Sequence, residues 1–322
     1  MDGMTYEIRE AFIGGKSAKI DSLSWENLKT SKQTLVSLLA IEELFNLLAE
    51  SYLDFEKCLF EKHIDHLKRS GAPGDLELFA SETKDIVNLR VLNFLTCTKS
   101  FLDQTPQHKK KLPQTKEAEF KESTSRSFDR CIEYRIAEAL RNLAQHAILP
   151  IGYIAYSHKH ECASGRSEPR VPSRTKLTIE PAFSAKDFDS NKIKAKTRAE
   201  VAGLEVEWIC AKSVIRMYVR ELNTIHIETL EATRDQLKIA EAHFDKAYGD
   251  FPSDSPRFLE IWDKATDEKH FLKQTLPSMV YRRRERWFGL ANVASDYYST
   301  EITRPSNNKK KFILSDERIW VP

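Results

Sequence analysis

The sequence predicts a mainly α-helical protein with a small β excursion near its middle. Three observations carry this. Apolar residues recur at helical steps over stretches much longer than a strand, glycine is scarce, and glycines and prolines punctuate the stretches. Only 10 glycines occur in 322 residues, against a usual share of ~7%. Folds built on glycine-rich cofactor loops or many tight turns need more.

The elements follow in order. Over 30–68, Leu35, Leu38, Phe45, Leu48, Tyr52, Phe55 and Leu59 make one apolar stripe, and Gly71, Pro73 and Gly74 stop it. A second helix is expected over 81–103, with Ile86, Leu89, Leu92, Phe94, Leu95 and Phe101 inward and Pro106 closing it. Residues 107–127, rich in lysine and glutamate and including Lys109-Lys110-Lys111, read as an exposed connection, with a short helix as an alternative. A third helix spans 127–148 and ends at Pro150. Residues 151–156 and 176–179 read as two short strands. One long helix is expected over 198–248, with Ile215, Tyr218, Leu222 and Ile225 near heptad spacing as one wall of a bundle. Further helices are expected over 258–273 and 278–298, then a terminal strand over 312–314.

Composition excludes several classes. Hydrophobic residues make up 41% and charged residues 30%, which suits a folded soluble protein. No apolar run approaches the ~20 residues of a membrane span, and Met1-Asp2-Gly3-Met4 lacks a secretory signature. No G-x-G-x-x-G occurs. Gly14-Gly15-Lys16-Ser17 is not a phosphate loop, because Glu10 stands where the earlier glycine is needed. Five scattered cysteines without C-x-x-C spacing point to free thiols in a reducing, cytoplasmic setting. A net charge of +2 confines any nucleic-acid contact to local clusters.

The informative segment runs Arg135-Ile136-Ala137-Glu138-Ala139-Leu140-Arg141-Asn142-Leu143-Ala144-Gln145-His146. On a helical wheel Phe128, Ile132, Ile136, Ala139, Leu140, Leu143 and Ala147 share the core stripe, and Arg135, Glu138, Asn142 and His146 line one flank. Arg141 lies further round, on the exposed side. Glu138 can pair with Arg141 three residues on. Arg141 and His146 stand about 140° apart on an ideal helix. To meet at one phosphate, the arginine must curl round, the last turn must loosen, or a second subunit must complete the site. The plain alternative is two cations that stabilise the C-terminal end of a helix.

Arg141-Asn142, followed by His146 and Pro150, resembles the R-x(4–6)-H signature of HEPN domains. The helix Asn88-Leu89-Arg90-Val91-Leu92-Asn93-Phe94-Leu95 looks like the partner helix of bacterial HEPN-like proteins. The resemblance covers about 30–150, with the helix after Arg198 as a closing member. It implies a HEPN-like helical core over 1–150 with a bundle-completing helix over 198–250; the β excursion over 151–197 and a basic helical extension over 251–322 come from the sequence pattern and fall outside the resemblance. The resemblance also implies a homodimeric, metal-independent endoribonuclease without cofactor, in a toxin or antiphage-defence role with an antitoxin or regulatory protein as partner.

The residue types suit that chemistry. Attack of a ribose 2′-hydroxyl on its own phosphate needs a proton shuttle and a cation. His146 titrates near neutrality and Arg141 presents a planar fork to phosphate oxygens. Asn142 would orient His146 or hold an oxygen, and Glu138 would hold Arg141. Arg135 and the run Arg282-Arg283-Arg284 with Arg286, flanked by Tyr281, Trp287 and Phe288, are candidate RNA contacts. The alternative for that run packs Trp287 and Phe288 inward with arginines snorkelling outward. Lys309-Lys310-Lys311 is a further basic run.

Two histidine clusters suggest metal. His63 and His66 read as surface residues, and His158-x-His160-x-Cys162 as a polar loop, with zinc the less favoured alternative. The runner-up function is a non-catalytic HEPN-like module that binds RNA or nucleotide or serves helical interaction.

Overall fold

The computed structural model describes residues 6–68, 75–113, 117–146, 149–162, 172–252, 258–287, 290, 302–305 and 313–314. The helices are α1 (Ser22–Lys68), α2 (Asp75–Lys109), α3 (Glu117–Arg130), α4 (Ile132–His146), α5 (Ala195–Gly203), α6 (Ala211–Ala232), α7 (Arg234–Asp250) and α8 (Leu276–Arg286). The strands are β1 (Tyr6–Glu10), β2 (Ser17–Lys19), β3 (Tyr153–Cys162), β4 (Pro172–Ser184), β5 (Trp208–Cys210), β6 (Phe258–Asp263), β7 (Glu268–Lys273), β8 (Ile302–Pro305) and β9 (Ile313–Leu314). The chain is mainly α, with small antiparallel sheets.

Two compact units interleave along the sequence. The first comprises Met1–Asn46, Ser100–Ser123 and Ile225–Phe288, and the second Leu47–Lys99, Thr124–Thr224 and Gly289–Pro322.

In the first unit a sheet of order β2-β1-β6-β7 faces a core of Trp25, Leu28, Leu35, Leu38, Leu237, Phe244, Leu259, Ile261, Leu272 and Val280. Residues 258–273, expected as a helix, form the hairpin β6–β7 instead. Leu259 and Ile261 alternate with less buried neighbours at a period of two, and Leu272 answers Leu259 across the hairpin. The turn has local causes. Asp263 Oδ1 accepts from the Ala265 amide (2.9 Å), Asp267 takes the left-handed conformation (φ 57°), and its Oδ1 accepts from the Trp262 indole (2.9 Å).

In the second unit β4 pairs with β3, β5 and β8, and β9 follows β8. Tyr52, Phe94, Tyr134 and Tyr218 form an aromatic core, with rings 4.9–6.4 Å apart in tilted or edge-on pairs. Asn88 fixes the approach to β3: its side chain donates to Ile151 O (3.1 Å) and accepts from Ile151 N (2.8 Å).

Several expectations need correction. The inward face of α2 is Val87, Val91, Phe94 and Phe101, while Ile86 and Leu89 are exposed. Pro106 lies inside α2 rather than closing it, and the Lys110 amide donates to Pro106 O at 3.0 Å. Lys109 is buried, and burial lowers its pKa against the opposing pull of Glu119. The helix expected over 127–148 is interrupted at Cys131: α4 is its main part, and its first residues belong to α3, which occupies much of the segment expected as an exposed connection. The long helix expected over 198–248 is three helices, interrupted by β5 and again at Thr233. The first break follows Gly203, where Glu205 takes a positive φ of 53°.

Candidate functional site on helix α4

Helix α4 starts where Cys131 interrupts the helical run. The Cys131 sulfur accepts from the Tyr134 amide (3.4 Å), serving as a weak N-cap. Burial pushes this thiol up to about 11, so the sulfur stays protonated at neutral pH. Tyr134, Ile136, Ala137, Leu140 and Leu143 form the buried face that anchors the helix.

Glu138 and Arg141 stand at the edge of that face, with side chains 19% and 15% exposed, so Arg141 is less open than the wheel implies. Arg141 Nη2 meets Glu138 Oε2 at 2.8 Å, the pairing that the three-residue spacing predicts. The other oxygen, Glu138 Oε1, accepts from the Tyr218 hydroxyl on α6. Burial and then the Glu138 charge hold the Tyr134 and Tyr218 phenols far above their usual range, partly countered by Arg141. Tyr218 is therefore a donor to the carboxylate and not a base. Arg141 Nε is buried and makes no hydrogen bond among the described residues. Asn142 is exposed one position on.

The chain stays helical through His146, so its backbone position and that of Arg141 stand about 140° apart around the axis. The last turn does not loosen before His146. The His146 side chain lies outside the described residues.

Arg135 does not belong to this surface. It is buried, its Nε bonds Glu200 Oε2 at 2.7 Å, and its Nη1 donates to the carbonyls of Phe128 and Asp129. That geometry ties α4 to the end of α3 and to α5, and it removes Arg135 from the RNA-contact set.

The basic run on α8 also divides. Arg284 is turned inward, with Nε to Glu42 Oε1 at 3.2 Å and Nη2 to Thr233 Oγ1 at 2.9 Å. Trp287 is buried and donates to Asn46 Oδ1 at 3.1 Å. Both are corrections to their assignment as RNA contacts. Arg282 and Arg286 are exposed, with Arg286 over the Trp287 ring at 4.8 Å, and Arg283 reaches Glu43 at 4.0 Å. Phe288 and Lys309-Lys310-Lys311 lie outside the described residues.

Of the histidine clusters, His63 is buried rather than on the surface. Its Nδ1 donates to Leu59 O (2.6 Å) and its Nε2 accepts from Ile179 N (3.0 Å), so no lone pair faces a metal. His66 stacks against Phe79 and Tyr156 at 5.5 and 5.4 Å. The side chains of His158, His160 and Cys162 lie outside the described residues. Among the described residues no group of three His, Cys, Asp or Glu side chains could hold a metal ion, and no helix is long and apolar enough to cross a membrane.

Sequence reasoning missed Tyr218 as the support of Glu138. A signal existed: a tyrosine on an apolar stripe must find a partner for its hydroxyl. Compared with known proteins, the chain matches no family model, no curated protein and no solved structure.

Proposed function

We propose that the protein is a metal-independent endoribonuclease of HEPN type that acts as a homodimer. The observation that carries the reading is the Arg141–Glu138 pair (2.8 Å) at the partly exposed edge of α4, backed by Tyr218. The carboxylate fixes one end of the guanidinium and leaves other donors of its fork for phosphate oxygens. Exposed Asn142 adds a neutral donor beside it. His146 takes the proton from the ribose 2′-hydroxyl as that oxygen bonds to phosphorus, and the P–O5′ bond breaks. His146 hands that proton on to the leaving 5′-oxygen, giving a 2′,3′-cyclic phosphate and a 5′-hydroxyl.

The angular separation of Arg141 and His146 on one helix supports a site completed by a second copy. The exposed Arg282 and Arg286, with half-buried Arg283 beside them, would add a salt-sensitive contact to the RNA backbone. A toxin or antiphage-defence role, with an antitoxin or regulatory protein as partner, is proposed on the resemblance alone.

Incubating RNA with the purified protein, with and without a chelator, tests the chemistry. The expected result is chelator-resistant cleavage with cyclic phosphate ends. No cleavage by the full chain would favour a binding module, and chelator-sensitive cleavage would favour a metal hydrolase.

A further inference from the structure

A second feature lies in the first unit and uses none of the α4 residues. The end of α6, the start of α7 and the face of α8 enclose a groove of about 410 Å³, lined by Ile227, Leu230, Glu231, Arg234, Leu237, Lys238, Tyr281 and Arg284. The volume falls within the range of small-molecule sites. Three of the lining residues are cations and one is a carboxylate.

These cations are in unlike states. Arg284 is held from behind by Glu42 and Thr233 through Nε and Nη2, which leaves Nη1 as the end of a rigidly placed guanidinium that is unengaged among the described residues. Arg234 and Lys238 are exposed, four residues apart on the first turns of α7, and neither has an ion-pair partner among the described residues. Burial lowers the Arg284 pKa and Glu42 opposes the fall, while Arg234 adds to it as a like charge nearby. An anion between Arg234 and Arg284 would relieve that repulsion. The first turn of α7 also lacks a side-chain cap, because the Thr233 hydroxyl donates back to Thr229 O (2.8 Å).

The rest of the groove is not ionic. Ile227 and Leu230 are half-buried, and the Tyr281 hydroxyl is already committed to Glu241 (2.7 Å), so its ring acts as an apolar wall. A bare inorganic anion would leave these walls unused.

We propose that this groove binds a phosphomonoester of the nucleoside monophosphate class, its phosphate against Arg234, Lys238 and Arg284 and its base against Ile227, Leu230 and Tyr281.

The test is calorimetric titration of the full chain with adenosine monophosphate, adenosine and inorganic phosphate. Adenosine monophosphate is expected to bind at least about tenfold more tightly than either fragment. The double substitution Arg234→Glu/Lys238→Glu, at exposed positions that the core does not need, is expected to weaken that binding by about tenfold or more. A control of equal charge change, Lys16→Glu/Lys273→Glu, is expected to leave it unaltered. The proposal is overturned if the wild-type chain does not bind adenosine monophosphate, if either fragment binds as tightly, or if the two double variants behave alike. Because RNA cleavage is not read, failure here leaves the α4 reading standing, and the reverse holds.

Discussion

Helices α4 and α8 both carry arginines that read as surface cations, and the fold uses them in different ways. On α8, Arg284 meets Glu42, a carboxylate brought from 242 residues away and 1% exposed, which also bonds His226 at 3.0 Å. On α4, Arg135 meets Glu200 from another helix, whereas Arg141 meets Glu138 from its own. The source of the carboxylate decides the outcome. A buried partner from a distant element commits the cation to the fold, since neither charge can be left alone. A partner on the same helix, at its partly exposed edge, holds the cation in place without committing all of its donors. Arg141 is thus the arginine of α4 that keeps donors open to a ligand; on α8 Arg282 and Arg286 are exposed, while Arg284 keeps only Nη1.

The largest expected effect is on stability. Arg284→Ala leaves the buried Glu42 carboxylate with His226 but without its guanidinium, and should cost about 3–5 kcal/mol in urea denaturation. Arg141→Ala should cost less, about 1–2 kcal/mol, because Glu138 keeps the Tyr218 hydroxyl as a donor when the arginine is gone. Equal losses would break the comparison. Arg135→Ala should fall between them, at about 1.5–3 kcal/mol, because Glu200 is 30% exposed and can turn to water once its partner is gone.

A smaller effect concerns pH. In the first unit burial lowers the pKa of His108 and His243, helped by Lys111 and Lys246 respectively. A depressed histidine pKa means that the unfolded chain binds protons more readily. The stability from these groups is complete above the ordinary histidine value and is lost as pH falls through the depressed ones. The melting temperature should therefore drop between about pH 7 and pH 5, and His243→Gln should flatten the curve. A slope unchanged by that substitution would remove His243 from the account.

The smallest effect separates thiols. Exposed Cys210 should be alkylated readily at about pH 8, whereas buried Cys58 and Cys131, both with raised pKa values, should stay unmodified in the native protein. Peptide mass spectrometry reads this directly, and early labelling of Cys131 would contradict its placement at the start of α4.

Much of the helical frame was legible because long stripes leave little ambiguity. Leu35, Leu38, Phe45, Leu48, Tyr52, Phe55 and Leu59 are each at most 1% exposed, as their spacing implies. Short apolar runs were less legible. Phe258–Asp263 fits a helix or a strand by composition, and only pairing with β1 and β7 decides between them. Strands β1 and β2 were missed because their eight residues contain one fully buried side chain, Ile8. At the candidate site the Glu138–Arg141 pair followed from local spacing. The inward turns of Arg135 and Arg284 did not, since their carboxylates come from 65 and 242 residues away and no local pattern encodes such a meeting.

The most direct measurement is RNA cleavage by Arg141→Ala and His146→Ala proteins whose helical circular dichroism matches the wild type. A general acid–base group typically contributes ~10²–10⁴-fold and a donor that stabilises transition-state charge ~10²–10³-fold, so His146→Ala and Arg141→Ala should lose cleavage to those respective extents while the spectrum is unchanged. Wild-type cleavage rates in a folded double variant would contradict the assignment of these two residues.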